Sequence, residues 1–182
     1  MTAAAALIAE RGWGRVTTRS VAARAGLPHG AISYHFRGKQ ELLIEAALHA
    51  FQEAIPIGEF KALETADDLI GLIAAELVDR DAIDPVLSRL MFEAMREAER
   101  DPQLRRRMAT LMAEYRQLMT AALAADQERG AAYGGAPPAA LATVLAAAGD
   151  GLLLHALLDP ELDVAGAVDA LRALLRVAPP GS

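Results

Sequence analysis

The sequence predicts an all-α protein: an N-terminal three-helix unit of helix-turn-helix form followed by a larger C-terminal helical domain. Three observations predict it. Alanine and leucine dominate the 182 residues, aromatic residues are only 4%, and β-branched residues never cluster in the two-residue alternation of strands. Val16 to Leu43 (VTTRSVAARAGLPHGAISYHFRGKQELL) holds two short helical stretches parted by Gly26-Leu27-Pro28, the spacing of a unit that presents one helix to a major groove. The charge is also divided along the chain. Residues 1–40 carry six Lys/Arg against one acid, a net of +5, whereas residues 41–182 are net −11, so the overall −6 hides a basic module on an acidic body.

Taken in order, Ala3 to Arg11 reads as a short helix ended by Gly12, with Trp13 and Val16 packing under the helices that follow. Thr17 is placed to cap a helix from Thr18 to Ala25; Val21, Ala22 and Ala25 face inward and Arg19 and Arg24 stay outside. Gly26 supplies the backbone conformation of a tight exit. The helix beginning at His29 is too short to stand alone. Ile32 and Phe36 make its buried stripe, leaving His29, Gly30, Ser33 and Tyr34 outward, with Ala31 and His35 at the edges. Small residues let such a helix approach base edges, while Ser, His and Tyr can hydrogen-bond bases or phosphates. Arg37 and Lys39 sit just beyond, where cations meet the phosphate backbone.

Lys39 to about Ala54 forms the next helix, with Leu43, Ala47, Ala50 and Ala54 on one stripe and Pro56 as its stop. Pro56 to Glu64 reads as a loop or an irregular helical extension. Thr65 and Asp68 resemble a capping box opening a helix with Leu69, Leu72, Ile73 and Leu77 inside. Asp84-Pro85 and Asp101-Pro102 are clean helix starts. The first helix should bury Leu87, Leu90, Met91, Ala94 and Met95. The second is long, running through Leu104, Met108, Leu111, Met112, Tyr115, Leu118, Met119 and Ala122, and Arg105-Arg106-Arg107 reads as its solvated face. Gly130 to Gly135 is a loop, Pro137-Pro138 opens a helix to Leu158, and Asp159-Pro160 breaks it. Asp163 caps a last helix through Val177, before Pro179-Pro180.

The absence of cysteine excludes disulfides and thiolate metal sites. The longest apolar stretches, Leu141 to Ala148 and Leu152 to Leu158, fall short of the roughly 20 residues that span a bilayer. The N-terminal alanines lack the basic flank of a signal peptide. No membrane association is expected, and the setting should be cytoplasmic.

The pattern T-x-R-x-V-A-x-x-A-G-x-P-x-G-A-I-x-Y-H-F-x-x-K-x-x-L-L from Thr17 to Leu43 resembles the DNA-binding domain of the TetR family of bacterial regulators. The likeness runs without a gap from Trp13. It implies that Thr17, Thr18 and Arg19 begin the supporting helix, which touches phosphates. It further implies that His29, Gly30, Ser33, Tyr34 and His35 lie on the recognition helix and that Lys39 binds phosphate. Ser33 stands where the family usually has tyrosine. The chain also begins almost at its first helix, so no minor-groove arm is expected. Ala148 to Glu161 (AGDGLLLHALLDPE) is similar to the penultimate helix and following loop of many members, whose last two helices pair as a four-helix bundle.

The resemblance divides the chain into residues 1–40, a helix-turn-helix domain with the motif at about 17–36, and residues 41–182, a helical ligand-binding and dimerisation domain. Leu141, Val144, Leu145, Ala148 and Leu152 form one candidate dimer stripe, and Leu171, Leu174 and Leu175 another. Phe51, Met91, Phe92, Met95, Met112, Tyr115 and Met119 are candidates for an effector pocket, where methionine suits varied apolar ligands. His155 reads as a buried core or interface residue. The function implied is a homodimeric repressor on a palindromic double-stranded operator, released by a small molecule of unknown identity. No cofactor or metal is expected. An enzyme is not, because H-E-x-x-H, G-x-S-x-G and phosphate-loop motifs do not occur. The alternative is a helical interaction or small-molecule-binding protein without specific DNA binding.

Overall fold

The structure, a computed structural model, describes residues 1–55, 57–78 and 84–175, with backbone alone at His29, Lys61 and Glu76. Among these residues there are ten α-helices and no strand: α1 (Thr2–Arg11), α2 (Thr18–Ala25), α3 (His29–His35), α4 (Lys39–Ala54), α5 (Ile57–Ala62), α6 (Ala66–Val78), α7 (Pro85–Ala98), α8 (Pro102–Glu128), α9 (Pro138–Leu158) and α10 (Val164–Leu175). Short 3-10 turns occupy Trp13–Arg15 and Tyr133–Gly135. The helices form two compact units, Met1–Ile55 with Asp84–Met112, and Pro56–Ile83 with Ala113–Ser182.

In the first unit α1 packs on α4 and α7, and α2 packs on α3. Leu7, Ile8, Val16, Leu43, Ile44, Leu90 and Leu104 are fully buried there, each contributing on the order of 1.5–3 kcal/mol of apolar burial. The first half of α4 is covered on nearly all sides, with Leu42, Leu43, Ile44, Ala46, Ala47 and Leu48 buried. That is wider than the single expected stripe, whose last member, Ala54, is exposed. Thr17 caps α2 in a reciprocal box: its Oγ1 accepts the Ser20 N–H and Ser20 Oγ accepts the Thr17 N–H, each at 3.0 Å. Gly26 closes α2 in the left-handed region, at φ 66°. Ala25, expected inside, is exposed, because α2 lasts two turns and only Val21 and Ala22 reach the core before the chain turns away.

Asp84 caps α7 by accepting the Val86 and Leu87 N–H groups at 2.7 and 3.3 Å. The buried row of α7 is Leu90, Ala94 and Ala98, joined by Ser88. Met95 lies one residue, about 100°, past Ala94. It is therefore 57% exposed rather than inside.

In the second unit α6 packs against α9 and α10. Leu69, Ile70, Met119, Leu123 and Leu145 are its most deeply buried large residues, and Phe60 meets Tyr115 edge to face at 5.2 Å. The box at Thr65 forms: Asp68 Oδ2 accepts the Thr65 N–H at 2.9 Å and Thr65 Oγ1 accepts the Asp68 N–H at 3.1 Å. Asp126, buried on α8, accepts the Ala66 N–H at 2.8 Å and the Tyr133 hydroxyl. Burial and the adjacent Asp126 push the Tyr133 phenol up to about 12.

Residues Pro56 to Glu64 contain α5, a helical extension; the expected stop at Pro56, Val177 and Pro179-Pro180 lie outside the described residues. Helix α9 runs unbroken through Gly149-Asp150-Gly151, so the two apolar stretches flanking them merge. By length and composition alone, α9 is the one helix among the described residues apolar enough to cross a membrane, and 22% of its apolar window is buried. Leu141, Ala142, Leu145 and Ala156 face inward. His155, expected to be buried, is exposed.

Candidate nucleic-acid interface

The helix-turn-helix is held from inside and open outside. Ile32 is 5% exposed and anchors α3, while Phe36, half-buried, ends the helix in extended backbone. The opposite edge faces solvent. Tyr34 is 86% exposed, its ring edge-on to His35 at 5.1 Å, and Gly30, Ser33 and His35 are exposed around it. Apart from the helix's own backbone and the adjoining residues, nothing lies within 4 Å of where a Gly30 Cβ would stand, so the helix surface is open there. The His29 side chain lies outside the described residues. At the start of α2, Thr17 and Arg19 are exposed and Thr18 half-buried.

The cations around this edge are not equivalent. Arg24 is tied to Glu10 by two bonds of 2.9 and 2.7 Å, and that pairing holds the Glu10 carboxyl below its usual range. Arg11, Arg15, Arg19 and Arg37 are exposed. Lys39 is half-buried, and its Nζ donates to the Gly14 carbonyl at 2.8 Å.

Two family models match the chain. The model described as bacterial regulatory proteins, tetR family, matches residues 1–46, and the model described as BetI-type transcriptional repressor, C-terminal, matches residues 66–178. The chain belongs to the TetR family. Solved structures agree on the fold. A protein from Streptomyces coelicolor A3(2) assigned as a transcriptional regulator is 26% identical at a TM-score of 0.75, over 96% of this chain and 95% of its own. One from Saccharomonospora viridis, similarly assigned and in complex with choline, is 21% identical at 0.76, over 95% and 91%. The regulator FadR from Bacillus subtilis, in complex with stearoyl-CoA, is 20% identical at 0.75, over 95% and 94%. No curated protein sequence matches significantly.

Elsewhere in this TetR-family chain the sequence-derived candidates scatter in their surroundings. Of the effector-pocket residues, Met119 is fully buried and Phe51 is 5% exposed, whereas Phe92 and Met95 stand 47% and 57% exposed on the outer face of α7. Met91, Met112 and Tyr115 are half-buried. None of the seven lines the cavities of about 730, 560 and 170 Å³ found within the two units. Among the dimer candidates, Leu141 and Leu145 are covered within their own unit, and Val144 and Leu174 are 59% and 69% exposed. Ala148, Leu152, Leu171 and Leu175 are half-buried. Among the described residues no group of His, Cys, Asp or Glu is placed to hold a metal ion.

Sequence reasoning passed over Gln40. Its Oε1 accepts the Trp13 indole N–H at 3.1 Å, and its Nε2 donates to Asp101 Oδ2 at 2.7 Å and Glu97 Oε1 at 3.2 Å. These partners lie 27 to 61 positions away, where no periodicity points.

Proposed function

We propose that the protein is a cytoplasmic homodimeric repressor that binds a palindromic operator in double-stranded DNA and leaves it when a small molecule binds. Residues 1–40 read the DNA, and residues 41–182 hold the effector and the dimer contact. The protein acts by binding, not by catalysis. The observation that carries this reading is the outward placement of Tyr34, Ser33 and Gly30 on a helix anchored by Ile32. Polar and small residues are thus offered at the height where base edges would lie.

TetR-family regulators bind DNA and small-molecule effectors as dimers. That supports the two-fold arrangement, which in turn demands a palindrome. The choline and stearoyl-CoA held by two structural relatives support an effector while leaving its chemistry open. To switch the operator decisively, that effector must prefer one conformation by about 5.5 kcal/mol.

Selection of bound sequences from random duplexes tests the reading. A palindromic consensus is expected, with affinity falling steeply as salt rises. Tyr34→Ala should weaken binding and alter the consensus, whereas Lys39→Ala should weaken binding equally for all sequences. Identical preference profiles for the two variants would refute the roles assigned to them.

A further inference from the structure

We propose that Gln40 is a positioning residue for DNA binding: it ties the turn ahead of the helix-turn-helix to α7 and to the first turn of α8, so that these helices set the orientation of α3. The proposal rests on the DNA-binding reading above and names how that interface is held.

The turn Gly12-Trp13-Gly14 joins α1 to α2 and is gripped from several sides. From α7, Glu93 Oε2 accepts the Trp13 backbone N–H at 2.9 Å, with Arg96 on the same carboxylate at 2.7 Å. A Cβ on Gly12 would stand 3.1 Å from Glu93 Oε2, and Gly12 has φ +80°. No other residue fits there without moving the carboxylate. From α4, Lys39 holds the Gly14 carbonyl and Gln40 takes the indole N–H of Trp13, itself 2% exposed.

Gln40 then hands the grip on. The primary amide has two N–H donors and one acceptor oxygen; the oxygen faces Trp13, and the nitrogen bonds Glu97 on α7 and Asp101 at the head of α8. Asp101 is shared as well. Its Oδ1 caps α8 through the Gln103 and Leu104 N–H groups at 2.8 and 3.0 Å, and its Oδ2 receives Gln40. That bond is the foremost reason the Asp101 carboxyl is held below its usual range. Gln40 is the second residue of α4, and α3 ends at His35. A displacement of α7 or of the α8 start therefore reaches the recognition helix across four intervening residues. An apolar side chain could fill the same space but would not fix a direction. Hydrogen bonds do, and each exchanges with water at small net cost.

The test uses the full chain and the operator duplex obtained by selection. Trp13 is the only tryptophan, so its indole N–H resonance reports on the grip alone. Gln40→Leu should keep helicity and base preference, move that resonance upfield and lower operator affinity by about tenfold. Gln40→Glu sets a carboxylate against Glu97 and Asp101 and should weaken binding further. Adding Asp101→Asn, which still caps α8 and supplies an N–H₂ to that carboxylate, should recover much of the loss. Simple additivity of Gln40→Glu and Asp101→Asn overturns the proposal. So does wild-type affinity in Gln40→Leu. A wild-type protein that binds no duplex overturns the DNA-binding reading itself, and this proposal with it.

Discussion

The two units bury similar helices but finish their surfaces with different materials. Around α3 the first unit ends in polar and small side chains, and its α1–α2 turn is fixed by Glu93, Lys39 and Gln40. On α9 and α10 the second unit instead shows large apolar side chains. Val144, Leu154, Leu157 and Leu158 on α9 and Leu174 on α10 are 39% to 75% exposed. A polar finish can remain in water until DNA arrives, whereas grouped apolar residues on a stable protein call for a permanent cover. Under the proposed function, the first of these surfaces would read DNA and the second would meet a partner copy.

Core truncation should separate the units most sharply. Leu43→Ala, at a fully buried site, should cost about 2–5 kcal/mol in denaturant unfolding. Leu158→Ala, at a site 75% exposed, should change the stability of the isolated chain by no more than about 0.5 kcal/mol. A comparable loss at both would break the contrast.

The contrast sharpens with charge in place of truncation. Val144→Glu together with Leu158→Glu should leave helicity intact and turn a dimer into a monomer at micromolar concentration in sedimentation velocity. A variant that sediments as wild type would show that this surface is not the cover.

Alkaline pH probes the second unit through Tyr133. The folded Tyr133 phenol lies at about 12, above the value near 10 of an unfolded tyrosine. Its contribution is complete below about pH 10 and should vanish as pH rises toward 12. Tyr133→Phe should flatten that part of the pH–stability curve.

The smallest effect belongs to Glu45 and Arg107 in the first unit, which share two hydrogen bonds. Both side chains are more than one third exposed, so solvent screens the pair and Glu45→Gln should cost less than about 1 kcal/mol. Arg107 holds the Glu45 carboxyl below its usual range. The contribution is therefore present at neutral pH and should be lost as acid protonates Glu45.

What the sequence made legible was local. Thr17, Asp84 and Asp101 could be read as caps, because a cap and its partners lie within three residues of each other. Ser20 was passed over as the other half of the Thr17 box, since serine replaces the usual Glu or Gln at that place. The anchoring of α3 by Ile32 was legible from spacing, and so was the outward edge at Ser33 and Tyr34. The face of α9 was not. When nearly every residue is apolar, a 3.6-residue period marks no side, so Leu141 and Leu145 could be grouped with Val144 although only Val144 is exposed. Arg107 likewise read as part of a solvated run until Glu45, 62 positions away, claimed it. Gln40 is the extreme case, with every role set by distant partners.

Helix α9 also has a consequence for biogenesis. As it leaves the ribosome it offers insertion machinery a 21-residue segment of mean hydropathy 1.8 over its most apolar window. Asp150 sits near the centre of that segment, where a carboxylate raises the cost of transfer into lipid by about 2.5–3.5 kcal/mol on insertion scales. Replacing it by leucine would remove the charge that most opposes mistargeting, and an insertion reporter carrying α9 should record the difference.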